Sequence, residues 1–353
     1  MATHPRGEPL LEYREYPVAH WRVTPAHQKA HSEAILVHGL GEHAGRMMPV
    51  ARRLTALGYN CRVPDLPGHG GHNSVVHRTI VEAYLYSNDA TEILGRIESL
   101  SPADRQLATE EQQKNRHDLY RTSFDSIIEV ITELTAWSAI DGNDANRPQF
   151  LWGHSMGGLA AFHAAAQIDR DVVSAPTGLI LSAPALVPPP QDDDLLLRLV
   201  TTQALVLSSN FFLRPIAALQ RLTLRILGIE EDGRWSSQYV SDLPAEQLLH
   251  VADPYHGFRI PLCFASRLLP PMASARQKAR ELRTPTFIFA AGFDPIVNTR
   301  GSRKIAASLS PSFDHHRPHR LDINEDMKMH DLARSSGSHE LIQRIHYWMQ
   351  GGN

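Results

Sequence analysis

The 353-residue sequence has only two cysteines and no long apolar run. Cys61 and Cys263 each lie in an apolar stretch, so both are interpreted as reduced core residues, which excludes a small disulfide-stabilised fold. No stretch reaches about 18 apolar residues, which excludes a membrane-spanning helix. The first residues, MATHPRGEPLLEYREYP, lack an apolar segment of signal-peptide length. These absences predict a cytoplasmic protein, with peripheral membrane contact as the alternative.

The chain also lacks a strong charge of either sign. Its formal net charge is −3 and no long basic block occurs, so no nucleic-acid partner is expected. The hydrophobic content of 42% is typical of a globular protein with a sizeable core. The length suits one large α/β domain with insertions, or two smaller domains. The oligomeric state stays open.

Short apolar runs alternate with helix-like segments. This pattern is typical of a mostly parallel central sheet that is flanked by helices on both faces. The predicted strands are residues 34–39, 60–65, 149–153, 178–184, 284–292 and 319–323. The predicted helices between and after them include MPVARRLTALGY, GSRKIAASLS and HELIQRIHYWM.

Two segments interrupt this alternation. Residues 87–121 are polar and predicted to be helical, with Ser101 as an N-cap and Pro102 at the first helical position. The second segment opens with PPPQDDD and contains two apolar stretches with helical spacing. Both are interpreted as insertions into one core. The predicted divisions are a first core part at 1–185, a mainly helical cap at 186–260 and a second core part at 261–353.

A serine lies between glycines where a predicted strand passes into a predicted helix, in LWGHSMGGLAAFHAAA (151–166). In the pattern G-x-S-x-G, the serine occupies a strained strand-to-helix turn, and small residues two positions away avoid clashes. Gly153 and Gly157 meet this requirement around Ser155. The context therefore predicts a nucleophilic serine; the alternative is a glycine-rich connection with an incidental serine.

A serine that attacks a carbonyl needs hydrogen-bond donors for the oxyanion that forms. In this architecture one donor is the backbone N–H after the nucleophile, here that of Met156. The other is expected from the loop after an early strand, which reads HGLGEHAGR (38–46). We assign Leu40 as this second donor, and the alternative is that HGLG is only a flexible turn.

The orienting acid and the base should follow the serine in the order Ser, Asp, His. Asp294 comes directly after the strand in FIFAAGFDPIV and is the predicted acid. His330 lies on the loop after the last predicted strand and is the predicted base. The rival candidates are Asp253 and Asp322 for the acid, and His339 and His346 for the base.

Two histidine-rich stretches are not assigned to metal. HHRPH (315–319) contains an arginine and no carboxylate arrangement that favours a divalent cation, so it is interpreted as a solvated loop and strand edge. HGGH (69–72) follows a strand and is interpreted as a tight turn. Neither a metal nor another cofactor is expected.

Four separated motifs, HGLGEHAGR, DLPGHG, GHSMGG and GFDPIV, precede His330. Together they resemble the monoglyceride lipase group of α/β-hydrolases, and HGxGEHxGR is the most specific of them. The resemblance implies an α/β-hydrolase fold and places Glu42 and Arg46 near the polar head of the acyl ester. It implies the same roles as above for Ser155, Asp294, His330, Leu40 and Met156.

Two departures from the family bear on the substrate. The polar insertion at 87–121 is absent from compact members, and Met47 stands where the family tends to have an aromatic residue. VADPYHG (251–257) resembles the family segment that follows the cap, which supports the position of the predicted cap.

The sequence therefore predicts a cofactor-free serine hydrolase of lipid-like carboxylic esters, of the monoacylglycerol lipase type. An apolar cap above the serine favours an acyl chain. Arg214, Arg221 and Arg225 share one helical face of the cap, which predicts contact with an anionic lipid surface. The polar insertion is predicted to narrow the entrance to the site.

Two alternatives remain. The same triad serves acyl transfer, lactone opening or lysophospholipid hydrolysis, because these reactions share their chemistry and differ in their pockets. The second alternative is a non-catalytic binding protein on a hydrolase scaffold.

Overall fold

The computed structural model describes residues 7–140, 147–169, 175–187, 234–257 and 260–352, and the structural statements below refer to these residues. One sheet of eight strands forms the centre of this part of the chain. The strands are β1 (Leu10–Arg14), β2 (His20–Thr24), β3 (Ser32–Val37), β4 (Tyr59–Pro64), β5 (Gln149–His154), β6 (Gly178–Ser182), β7 (Thr286–Ala291) and β8 (Arg320–Asn324). Their order across the sheet is β1-β2-β4-β3-β5-β6-β7-β8.

Helices cover the sheet on both faces. They are α1 (Met48–Ala56), α2 (Val75–Tyr86), α3 (Ala90–Glu98), α4 (Pro102–Leu119), α5 (Phe124–Ile140), α6 (Met156–Ile168), α7 (Arg234–Val240), α8 (Pro244–Ala252), α9 (Leu262–Ser266), α10 (Leu269–Ala279), α11 (Thr299–Ala306) and α12 (Ser338–Met349). The described residues also form 3₁₀ turns at Ala44–Met47 and Leu332–Arg334.

The central strands are buried on both faces because helices cover both faces. Every residue of β3, β4, β5, β6 and β7 is buried, and the pairings from β4 through β3, β5, β6 and β7 to β8 are parallel. Their side chains divide into two apolar clusters, one on each side of the sheet. The six predicted strands are all present, and the predicted α/β-hydrolase architecture is confirmed.

Strands β1 and β2 have no counterpart among the predicted strands. Both pair antiparallel, β1 with β2 and β2 with β4. β1 is an edge strand that alternates exposed and half-buried residues, so it lacks the continuous apolar run that marks the buried strands. Tyr13 lies opposite Trp21 in the register, and their rings meet edge to face with centroids 4.9 Å apart.

The polar segment at 87–121 is helical, as predicted. It forms α3 and α4, and Ser101 caps α4 by accepting a hydrogen bond from the Asp104 N–H at 3.1 Å. The Asp104 carboxylate accepts in return from the Ser101 N–H, which completes a capping box. On α4, Glu111 accepts hydrogen bonds from the hydroxyls of Ser74 and Tyr255, which ties the insertion to the core.

Most of the predicted cap at 186–260 lies outside the described residues, as do Arg214, Arg221 and Arg225. The domain division and the predicted lipid contact therefore stay predictions. Of the cap range, α7 and α8 are described, and α8 packs against α3 of the polar insertion. Among the described helices, none combines the length and hydropathy that a bilayer-crossing segment needs.

Candidate active site

Ser155 occupies the turn between β5 and α6 in a backbone conformation that residues with a Cβ rarely adopt. Its φ is +54° and its ψ is −118°. A Cβ added to Gly153 would lie 2.3 Å from the Gly157 carbonyl oxygen, and one added to Gly157 would lie 2.3 Å from the His38 carbonyl oxygen. Both flanking positions therefore require glycine, as the sequence pattern indicates.

The loop after β3 lies directly against this serine. A Cβ added to Gly39 would be 3.1 Å from the Ser155 Cβ, so the glycine allows the close approach. Leu40 follows in this loop, and Met156 is the first residue of α6. The backbone N–H groups of these two residues donate no hydrogen bond to any other described residue.

Asp294 and His330 come from the loops after β7 and β8, and the structure brings them together. His330 Nδ1 donates to Asp294 Oδ2 at 2.7 Å, and the carboxylate is fully buried. Asp294 Oδ1 accepts from the N–H groups of Ile296 at 2.8 Å and Val297 at 3.1 Å, which fixes the carboxylate. This pairing fixes the tautomer of His330, so that its Nε2 is the atom that carries a lone pair in the neutral ring.

The His330 ring packs against the residue that precedes the serine. Its centroid lies 4.8 Å from that of the His154 ring. No hydrogen bond joins the side chains of His330 and Ser155 in the described part of the chain. In unliganded enzymes this bond is often long and shortens when substrate binds.

The charges around His330 favour its protonated form. Burial is the largest single influence on the pKa of the imidazole and lowers it, but the charge and hydrogen bond of Asp294 and the charges of Asp331 and Glu42 together outweigh burial. The pKa of His330 is consequently raised above its usual 6.5. An imidazolium that forms during a reaction is therefore stabilised at this position.

The rival candidates have other partners. The Asp253 carboxylate accepts from His43 at 2.8 Å and from Tyr84 at 2.6 Å. Asp322 pairs with Arg344 at 3.2 Å. His339 is exposed at the start of α12, and His346 lies 3.0 Å from the Tyr59 hydroxyl.

Glu42 and Arg46 are both buried next to the loop after β3. Glu42 Oε2 accepts from the Gly39 N–H at 2.6 Å, and Glu42 Oε1 lies 3.7 Å from Arg46 Nε. The guanidinium also lies 3.9 Å from carboxylate oxygens of both Glu246 and Asp331. Burial would raise the pKa of Glu42, but the neighbouring histidines and Arg46 hold it well below its usual value.

Glu246 and Asp331 of this cluster were not among the predicted site residues. Glu246 lies on α8, and it also accepts from Arg334 Nε at 3.0 Å. Asp331 directly follows His330, and this adjacency is the one sequence signal that could have found it. Glu246 carries no such signal because its partner Arg334 is 88 residues away in the sequence.

Among the described residues, two groups of side chains have a spacing that a metal ion could use, and other contacts occupy both. His43, Asp65 and His77 form one group, but His43 Nδ1 lies 3.0 Å from His77 Nε2, and both rings have further partners. Glu42, His154 and Asp331 form the other, where Arg46 already faces both carboxylates. The histidines of HGGH and HHRPH belong to neither group, and no metal ligand set is assigned.

The comparison with protein families decides the class of protein to which the chain belongs. The Hydrolase_4 model, described as serine aminopeptidase, S33, matches residues 28–108 and 113–318. The chain belongs to the Hydrolase_4 family. The chain is thus a hydrolase, and the predicted membership of an α/β-hydrolase family is confirmed. The matched ranges contain Ser155 and Asp294, whereas His330 follows them.

Solved lipases and esterases share the fold of this Hydrolase_4 member. Monoacylglycerol lipase from Paleococcus ferrophilus is 17% identical with a TM-score of 0.60, over 97% of this chain and 100% of that chain. A soluble variant of Saccharomyces cerevisiae monoglyceride lipase, in complex with a substrate analog, is 14% identical with a TM-score of 0.64, over 98% and 95%. A carboxyl esterase from Bacillus coagulans, in complex with glycerol, is 15% identical with a TM-score of 0.56, over 98% of each chain. No curated protein matches the chain in sequence.

Proposed function

We propose that the chain hydrolyses lipid-like carboxylic esters through an acyl-enzyme on Ser155, with His330 as the base and Asp294 as the orienting acid. The observation that carries this proposal is the 2.7 Å hydrogen bond from His330 to Asp294 beside a serine with positive φ. The strained turn presents the serine at the end of β5, and the histidine proposed to deprotonate it packs against the preceding residue.

In the first half of the reaction, Ser155 Oγ attacks the ester carbonyl carbon while His330 Nε2 takes its proton. The tetrahedral oxyanion accepts hydrogen bonds from the N–H groups of Leu40 and Met156. The bond between the carbonyl carbon and the alkoxy oxygen then breaks, and His330 gives its proton to the leaving alcohol.

In the second half, His330 removes a proton from water as the water oxygen attacks the acyl-enzyme. The bond to Ser155 Oγ breaks, the serine regains the proton, and the carboxylic acid leaves. Asp294 stabilises the imidazolium in both halves and keeps the ring in the tautomer that can accept the serine proton.

For the substrate we propose a monoacylglycerol-type ester. The motifs HGLGEHAGR and GHSMGG support this choice, and so does the fold shared with two monoglyceride lipases. Glu42 and Arg46 are proposed to lie near the polar head of that substrate. The apolar cap is proposed to cover its acyl chain.

A second candidate is hydrolysis of aminoacyl amides, which the family's description as serine aminopeptidase favours. The same triad cleaves an amide when the leaving amine receives the proton from His330. The two candidates differ in the leaving group and in the charge of the substrate, so a direct comparison of substrates separates them.

The test is a panel of substrates with the products identified by mass spectrometry. It contains monoacylglycerols of medium and long acyl chain, a lysophospholipid, a lactone and an aminoacyl anilide, each with wild type and Ser155→Ala. We expect free fatty acid and glycerol from the monoacylglycerols with wild type and none with the variant. Turnover of the anilide alone, or equal turnover by Ser155→Ala, would contradict the proposal.

A further inference from the structure

The loop that carries Leu40 is held by the loop that follows β4. β3 and β4 are parallel neighbours, so the loops at their carboxyl ends lie side by side. His38 and His69 come from these two loops, and both rings are fully buried with centroids 5.2 Å apart. HGGH (69–72), interpreted above as a tight turn, therefore also supplies the buried ring of His69 that contacts His38.

Each ring contacts one of the two peptide groups that flank the Leu40 Cα. His38 Nδ1 lies 2.9 Å from the Gly39 carbonyl oxygen, which belongs to the same peptide group as the Leu40 N–H. His69 Nε2 accepts a hydrogen bond from the Gly41 N–H at 3.2 Å. A peptide group is planar, so fixing one of its polar atoms also orients the other.

The protonation of both rings follows from their remaining contacts. His38 Nε2 accepts from the Leu66 N–H at 3.1 Å, so Nδ1 is the atom that donates to the Gly39 carbonyl. His69 Nδ1 donates to the Pro67 carbonyl at 3.1 Å, so Nε2 carries the lone pair that accepts from the Gly41 N–H. Burial and the neighbouring His38 lower the pKa of His69 to about 3, which keeps this ring neutral at physiological pH.

The other polar atom of each flanking glycine is also fixed. Gly41 has a φ of +70°, and its carbonyl accepts from the Gly257 N–H at 3.0 Å. The Gly39 N–H donates to Glu42, as described above. The loop therefore holds both peptide groups around Leu40, while the Leu40 N–H donates to no other described residue.

We infer that His69 is a positioning residue for the oxyanion hole. Through the Gly41 N–H it fixes the peptide group that follows Leu40. Because His38 holds the preceding peptide group, which carries the Leu40 N–H, the two contacts together fix the backbone on both sides of the Leu40 Cα and keep this N–H in place beside Ser155. This inference rests on the proposed function for its catalytic consequence, whereas its structural part stands on the contact between His69 and Gly41.

The test compares two substitutions at His69 with one at a matched control. His69→Phe keeps a planar ring and removes the acceptor, whereas His69→Gln keeps an acceptor near the position of Nε2. His163→Phe is the control. His163, on α6, is also a buried histidine, and its Nε2 lies 3.0 Å from the Pro271 carbonyl oxygen. Thermal unfolding establishes that each variant is folded.

The catalytic readout separates positioning from general damage. We expect His69→Phe to lower kcat by on the order of 10- to 100-fold with KM within about twofold, because a misdirected donor weakens only the transition state. A trifluoromethyl ketone, which forms an oxyanion on the serine, should lose affinity by a similar factor, and its methyl ketone analogue should not. His69→Gln should recover most of the loss, and His163→Phe should match wild type.

Hydrogen–deuterium exchange of the loop at 38–46 tests the structural part without any substrate. We expect faster exchange in His69→Phe than in His69→Gln and wild type. Unchanged exchange in His69→Phe overturns the inference whether or not the protein hydrolyses esters. Equal losses for both ketones, or equal activity of the two His69 variants, also overturn it. An inactive wild type with the expected exchange pattern contradicts the proposed function alone.

Discussion

Replacing Asp294 by asparagine should leave the fold intact and disable the proposed base. The Asp294 Oδ1 atom accepts from two backbone N–H groups, so the single oxygen of an asparagine is held in that place. The NH₂ group of the asparagine, which can only donate, then faces His330 Nδ1 in place of the carboxylate oxygen. The ring must turn to the other tautomer, with its proton on Nε2, and can no longer accept the proton of Ser155.

Two contributions set the size of the effect. A carboxylate and an imidazolium about 4 Å apart attract by about 4 kcal/mol at an effective dielectric constant of about 20, which corresponds to about 10³ in rate. The same substitution in a serine protease triad lowers kcat by about 10⁴, since it also reverses the tautomer. We expect a loss of about 10³- to 10⁴-fold in kcat for Asp294→Asn.

The assay is the acylation burst with a p-nitrophenyl ester, followed by stopped flow. Asp322→Asn is the matched control, because Asp322 is a rival carboxylate in β8 that pairs with Arg344, and it should stay within about twofold of wild type. Circular dichroism and thermal unfolding check the fold of both variants. A loss below about tenfold in folded Asp294→Asn would refute the proposed role of the carboxylate.

The acylation rate should fall with decreasing pH through the pKa of His330. Because that pKa is raised, the midpoint of the pH profile of kcat/KM should lie above 6.5. A midpoint below 6.5 contradicts the assignment of His330 as the base. Gly157→Ala should lower the free energy of unfolding by at least about 2 kcal/mol, since the added Cβ would lie 2.3 Å from the His38 carbonyl oxygen. The control Gly95→Ala should raise the free energy of unfolding by about 0.5–1 kcal/mol, because Gly95 lies in α3 with open space around the position of its Cβ. Chemical denaturation measures both free energies, and equal effects would contradict the packing argument. Replacing residues 90–118 by a short linker should change KM or the acyl-length preference, and an unchanged profile from a folded variant would refute the placement of the insertion at the entrance.

The sequence predicted the parts of the fold in which local pattern and burial agree. The apolar runs of the central strands lie under helices on both faces, so composition alone identifies them. The positions of Ser155, Asp294 and His330 follow from one rule, that polar residues just after parallel strands meet at one edge of the sheet. Edge strand β1 was not predicted from the sequence, because its alternating exposure gives no apolar run.

The contacts that the sequence did not predict join residues far apart in the chain. Arg46 reaches Glu246 of α8 and Asp331 beyond β8, and neither separation leaves a periodic signal. The contact of His69 was not predicted for the same reason, because HGGH has the pattern of a turn and the hydrogen bond between Gly41 and His69 joins residues 28 positions apart. Such pairings follow from which loops the sheet topology places side by side, and they become visible only once the strand order is known.

Labelling with a fluorophosphonate, followed by peptide mass spectrometry, tests most directly whether Ser155 is an activated nucleophile. We expect one adduct, on the peptide that contains Ser155, with labelling strongly slowed in His330→Ala and abolished in Ser155→Ala. An adduct on another residue, or no adduct on the folded wild-type protein, would contradict it.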